Sequence, residues 1–171
     1  MHKTIGLLFF LVGILSPTTG HAAFSEDELL LYDFDDSTSA SSASESHNTG
    51  LDLSLTGSVI SSNESLDSDL GYSWDSGNTL YCDGTTATAS HSDDATFEPS
   101  DFTLSMWVYS DSFSDCNGDC TLVSKGSNSS NPSGYWLYTD SNGALSVDIA
   151  NGGSTTTVSG GTLSTGIWHH V

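Results

Sequence analysis

The strongest constraint on this chain is a repeated alternation of apolar and polar side chains with a period of two residues. The longest run covers residues 102–109, and its apolar face consists of Phe102, Leu104, Met106 and Val108. Residues 51–56 and 145–149 follow the same period. Because successive side chains of a β-strand point to opposite faces, this period predicts strands with one buried face.

Turn-forming residues separate these runs, and no window shows a sustained helical period. Residues 135–139 and 145–150 flank the sequence Asp140-Ser141-Asn142-Gly143, which predicts a β-hairpin with a tight Asn-Gly turn. Many short strands joined by turns are typical of antiparallel sandwiches and jelly rolls. We therefore predict an all-β fold, an antiparallel jelly-roll sandwich.

The charge of the chain limits its partners. It has 22 acidic residues against two basic ones, Lys3 and Lys125, and a formal net charge of −20. Binding to nucleic acid depends on clustered Lys and Arg that neutralise phosphates. Attraction to an anionic membrane surface depends on basic side chains in the same way. The composition therefore excludes nucleic acid and acidic membrane surfaces as partners.

The N-terminus has the organisation of a secretory signal peptide. Lys3 precedes an apolar run, residues 5–15, which is shorter than the roughly 18 residues that a membrane-spanning helix needs. The short run disfavours the alternative, an uncleaved anchor. Small residues follow at Gly20-His21-Ala22, and we predict a signal peptide at residues 1–22 with cleavage after Ala22. No second run of spanning length occurs, so we expect a secreted product without membrane insertion.

Six segments resemble, in order, the motifs of the laminin-G-like domains with a concanavalin A-type jelly roll. They are residues 29–36, 46–53, 80–84, 101–108, 122–126 and 165–171. The clearest are DFTLSMWV at 101–108 and TGIWHHV at 165–171. The resemblance implies one jelly-roll domain over residues 23–171, with a Ser-rich loop at 35–50. In the family the Trp-His-His-Val strand continues, so we expect the domain to extend beyond Val171 and residues 23–171 alone not to form a well-packed monomer.

The resemblance also implies a structural Ca²⁺ ion. Domains of this type often hold one near the first strand and the following loop, and carboxylate and amide oxygens are the ligands that Ca²⁺ prefers. The matching positions here are Asp35, Asp36, Glu45, Asn48 and Asp83. The alternative is a Ser-rich loop with solvated carboxylates.

Two further features depend on residue spacing. Cys116 and Cys120 flank the turn Asn117-Gly118-Asp119, which predicts a disulfide that closes a small surface loop. Trp136 and Tyr138 share one face of a predicted strand and form a candidate platform for stacking on sugar rings. Packing in the core is the alternative for these two aromatic residues.

No catalytic motif occurs in the chain. The glycanases of this architecture carry the pattern E-x-D-x-x-E, which supplies the carboxylate pair of glycoside hydrolysis, and it is absent here. We therefore predict a secreted, non-catalytic recognition module that binds glycans or partner proteins and is part of a larger extracellular protein. The alternative is the N-terminal part of a glycan hydrolase whose catalytic strand lies beyond Val171. A structural domain that accompanies a hydrolase or adhesin is a third interpretation.

Overall fold

The computed structural model describes residues 5–13, 29–32, 34, 36–46, 50–61, 78–84, 86–98, 101–114, 118–127 and 132–171. These residues form thirteen strands and a short 3-10 turn at Ala95–Phe97. The strands are β1 (Ile5–Gly13), β2 (Leu29–Tyr32), β3 (Ser42–Ala43), β4 (Leu53–Thr56), β5 (Val59–Ser61), β6 (Thr79–Cys82), β7 (Thr88–Ser90), β8 (Thr103–Ser110), β9 (Cys120–Ser127), β10 (Ser133–Thr139), β11 (Ala144–Asn151), β12 (Ser154–Thr162) and β13 (His169–His170).

The nine strand pairs with a described register are all antiparallel, which confirms the predicted class. In the described part of the chain, no helix has the length and apolar character needed to cross a membrane. The chain divides into two compact units: Met1–Tyr109 together with Trp168–Val171, and Ser110–Ile167.

The first unit contains two sheets. One has the strand order β13-β8-β1-β6-β5 with β2 paired to β1, and the other has the order β3-β4-β7. In β8, Met106 and Val108 are fully buried while Trp107 and Tyr109 on the opposite face are half-buried. The two-residue period of this segment therefore gave its buried face correctly.

The apolar run of the predicted signal peptide forms strand β1. Its backbone pairs with β2, with Phe10 opposite Tyr32, and with β6, with Leu7 opposite Leu80. A nine-residue apolar segment has the length and composition of a buried strand as well as of a signal sequence. The cleavage point after Ala22 lies outside the described residues, so cleavage stays a prediction.

The predicted Ser-rich loop contains a strand that composition did not indicate. Ala43 in β3 is fully buried. The carboxylate of Asp36 accepts hydrogen bonds from the Ser44 amide at 2.8 Å and from the Ser44 hydroxyl at 2.7 Å. These bonds join the two ends of the 36–44 segment at the surface.

The second unit contains a four-stranded sheet of order β12-β11-β10-β9. The hairpin formed by β10 and β11 confirms the prediction, but its turn differs. The Asp140 amide donates to the Ala144 carbonyl and the Gly143 amide to the Asp140 carbonyl, both at 3.0 Å. Gly143 has a φ of 82° whereas Asn142 has a negative φ, so the loop is not the two-residue turn in which both central residues have positive φ.

Side chains of β10 alternate between the two faces of this sheet. Tyr135, Leu137 and Thr139 are buried on one face, and Trp136 and Tyr138 are half-buried on the other. We call the second one the open face. The apolar side of β11 is less covered than its pattern predicts, because Ile149 remains 42% exposed.

Candidate functional site

A shallow groove of about 90 Å³ lies on the open face of the four-stranded sheet. It contains both residues predicted as a sugar-stacking platform, Trp136 and Tyr138. The described residues that line it are two aromatic residues, two carboxylates and two threonines: Asp119, Thr121, Trp136, Tyr138, Asp148 and Thr155.

Strand register brings these residues together. Trp136 on β10 is opposite Asp148 on β11, and Tyr138 is opposite Thr121 on β9. Directly opposed residues of an antiparallel pair share a face, with Cβ atoms about 4.5–5.5 Å apart. A register shift between Leu137 and Tyr138 marks a bulge in the β9–β10 pair, the kind of feature that re-aims side chains near sites.

Tyr138 and Asp148 are joined by a hydrogen bond. The Tyr138 hydroxyl donates to Oδ1 of Asp148 at 3.3 Å. Removal from water raises the pKa of Tyr138 above its ordinary value, and the charge of Asp148 acts in the same direction, against a hydrogen bond with Ser146. The hydroxyl therefore stays protonated well above neutral pH and holds the carboxylate in the groove as an acceptor.

None of the described residues that line the groove is basic. Lys125 is the one Lys or Arg in the described part of the chain. It pairs with Tyr135 of β10, whose side chain is buried on the face of the sheet opposite the groove. Because directly paired residues share a face and successive residues alternate, Lys125 lies on the opposite face of the sheet from Trp136. The lining can thus supply stacking faces, hydroxyl groups and negative charge, which together suit a polar ring with many hydroxyl or ammonium groups.

The residues predicted to bind calcium have separate partners. Oε1 of the buried Glu45 accepts a hydrogen bond from the Leu31 amide at 2.7 Å, and Oδ1 of Asp83 accepts from the amides of Thr86 and Ala87 at 3.0 Å. Both oxygens of Asp36 contact Ser44, as described above.

Among the described residues, no three His, Cys, Asp or Glu side chains are grouped as metal ligands. Asp35 and Asn48 lie outside the described residues. Because two of the five predicted positions are not described, calcium binding stays a prediction.

The predicted disulfide falls partly outside the described residues, because Cys116 is not among them. Cys120 begins β9 and is buried, with Sγ 3.6 Å from the carbonyl oxygen of Phe113. The pairing stays a prediction. Cys82 is a free thiol, and burial, together with the charge of Asp83, raises its pKa to about 11, so the reactive thiolate is scarce at neutral pH.

The sequence prediction missed four residues of the groove: Asp119, Thr121, Asp148 and Thr155. One of them had a usable signal. Asp148 alternates with Val147 and Ile149 on the polar side of a predicted strand, and the predicted hairpin made it a neighbour of the Trp136 strand. Asp119 and Thr155 had no such signal, because their positions depend on pairings between other strands.

A family model described as the concanavalin A-like lectin/glucanases superfamily matches residues 83–171, just over half of the chain. Searches among curated proteins and among solved structures gave no significant match. The matched residues include β8 to β13 and the whole groove, and the antiparallel sheets are consistent with the jelly-roll fold of that superfamily. The chain therefore belongs to the concanavalin A-like lectin/glucanase superfamily.

Proposed function

We propose that this protein is a secreted, non-catalytic recognition module that binds a glycan in the groove on its open sheet face. The observation that carries the proposal is the joint placement of Trp136 and Tyr138 with carboxylates and threonine hydroxyls in one groove. Aromatic faces supply apolar contact to a sugar ring, and a few polar groups beside them fix its orientation.

The open shape of the groove supports a polymeric ligand. A volume of about 90 Å³ is well below the roughly 300–1,000 Å³ of sites that enclose a small-molecule ligand, so the groove cannot enclose an oligosaccharide. A sugar unit of a longer chain can instead lie across the groove while its neighbours extend over the hydroxyl-rich surface of β12, whose residues are all exposed.

Binding to an array of polysaccharides tests the proposal, with Trp136→Ala as the main variant and Trp136→Phe as its conservative counterpart. Loss of stacking should weaken binding about tenfold, equivalent to about 1.4 kcal/mol, while Phe restores most of it. Near-ultraviolet dichroism and the melting midpoint report whether each variant folds.

Tyr138→Phe provides a second, milder variant, because it keeps the ring and removes only the hydroxyl that donates to Asp148. We expect weaker binding with an unchanged melting midpoint. Full binding by folded Trp136→Ala and Tyr138→Phe proteins would move the ligand site elsewhere, and absence of binding to every glycan would favour a protein partner.

A hydrolase is the second candidate, because the groove contains the two carboxylates that glycoside hydrolysis requires as a minimum, Asp119 and Asp148. Release of reducing ends from a bound polysaccharide separates the two functions. We expect no release by the wild-type chain. Release that is lost in Asp148→Asn would establish catalysis instead.

A further inference from the structure

The described residues of the groove combine aromatic rings and carboxylates, and no Lys or Arg among them balances the negative charge. We propose, on the basis of the glycan-binding function proposed above, that the groove selects glycans with free amino groups. The carboxylates of Asp148 and Asp119 hold the ammonium groups of such a glycan while a sugar ring covers Trp136.

The position of Asp148 supports this selectivity. It is directly opposite Trp136 across the β10–β11 pair, so its Cβ is about 4.5–5.5 Å from the Cβ of the aromatic residue. An ammonium substituent on a ring stacked against Trp136 is therefore within range of a charge-assisted hydrogen bond to the carboxylate. The indole face adds a cation–π attraction to the same group.

Asp148 retains the capacity to accept further bonds. Its Oδ1 accepts from the Tyr138 hydroxyl, and an ionised carboxylate has about four lone-pair sites in total. The bond to Tyr138 orients the carboxylate without neutralising it. Thr121 and Thr155 add hydroxyl groups for the ring oxygens of the ligand.

The negative charge of the groove excludes anionic glycans. Lys125 faces the other side of the sheet, so a sulfate or a uronate in the groove would meet two carboxylates and no cation of the described residues. N-acetylation of an amino sugar removes the ammonium charge and keeps the ring. The geometry therefore predicts that acetylation weakens binding.

The test compares three hexasaccharides on the full chain: a β-1,4-linked glucosamine hexamer, its fully N-acetylated form and cellohexaose. Calorimetry is performed with a chelator present, so that no divalent cation bridges ligand and protein. We expect the glucosamine hexamer to bind at least tenfold tighter than the other two. The advantage should shrink in 1 M salt, where the Debye length falls to about 3 Å.

Asp148→Asn and Asp111→Asn separate recognition in the groove from general attraction to an acidic protein. Both variants remove one negative charge, but Asp111 is exposed and does not line the groove. Asp148→Asn should lower the affinity for the glucosamine hexamer at least fivefold and that for the acetylated hexamer by a clearly smaller factor. Asp111→Asn should leave both unchanged.

Each other outcome has a distinct meaning. Equal losses in the two Asn variants would show non-specific attraction, and equal affinity for the three hexamers would show binding that ignores the amino group. Either result overturns the amine selectivity and leaves the proposed glycan-binding function in place. Failure to bind these hexamers and every polysaccharide of the array overturns the proposed function itself.

Discussion

Replacing Gly134 with alanine should destabilise the sheet that carries the groove. Gly134 on β10 is opposite Gly126 on β9, and their φ angles are 119° and 112°. Such angles are rarely adopted by residues with a Cβ atom and cost about 1–3 kcal/mol when they are. A Cβ on Gly134 would also lie 1.9 Å from the Lys125 carbonyl oxygen.

The clash forces the two strands apart. Ordinary contact begins near 3.4 Å, so the Lys125 oxygen and the new Cβ must separate by about 1.5 Å. Movement of that size breaks one or two ladder hydrogen bonds, each with a net contribution of about 0.5–1.5 kcal/mol. Together with the backbone strain, the expected loss in free energy of unfolding is roughly 1.5–6 kcal/mol.

Thermal unfolding followed by circular dichroism measures this loss. For a chain of this length the melting midpoint should fall by roughly 2–4 °C per kcal/mol, hence about 3–24 °C in total. Two matched Gly→Ala controls separate the backbone strain from the steric clash. Gly152 has a φ of 57° and nothing within 4 Å of an added Cβ, so it reports strain without a clash.

Gly161 has neither a positive φ nor a neighbour within 4 Å, and its replacement should be neutral or stabilise by about 0.4–1 kcal/mol. The expected order of melting midpoints, from highest to lowest, is therefore Gly161→Ala, Gly152→Ala and Gly134→Ala. If the Gly134→Ala and Gly161→Ala proteins have the same melting midpoint, the close approach of the two strands is not a feature of the folded protein.

Two further predictions concern ions and pH. Millimolar Ca²⁺ should raise the melting midpoint of the protein over that in chelator, since an ion bound only by the folded state stabilises it by mass action, and identical midpoints would exclude the predicted site. The amides of Ala144 and Asn142 lower the pKa of the Asp140 carboxyl, so its contribution to stability is present above the unfolded pKa near 4 and is lost as the pH falls through the lower folded value. An NMR titration of the Asp140 carboxyl checks this, and a midpoint at the ordinary aspartate value would contradict it.

The comparison of sequence and structure is clearest at the glycines. The pairs Lys125-Gly126 and Ser133-Gly134 have the composition of turns, yet both glycines lie within strands and oppose each other. A glycine in a sequence indicates freedom of φ or a close approach of backbones. The sequence does not indicate which of these two reasons applies, because the neighbour that makes glycine necessary belongs to another strand.

For the candidate site, too, the sequence predicted some of the residues and the strand pairings supplied the others. The two-residue period placed Trp136 and Tyr138 on one face of a strand, and the family resemblance is confirmed by the match over residues 83–171. Asp119 and Thr155 joined them only through the pairings of β9 and β12. Three of the residues proposed for calcium, Asp36, Glu45 and Asp83, accept hydrogen bonds from backbone amides of the first unit, which their sequence positions did not indicate.

The sequence by itself determined the class of fold, the buried face of β8 and the existence of the β10–β11 hairpin. These features depend on interactions between residues close in the chain, where side-chain alternation and turn residues are sufficient. Tertiary structure decided which strands became neighbours, their register and therefore the composition of the groove. Such pairings close long loops, and their free energy depends on the whole sheet, so the period of a single strand does not specify them.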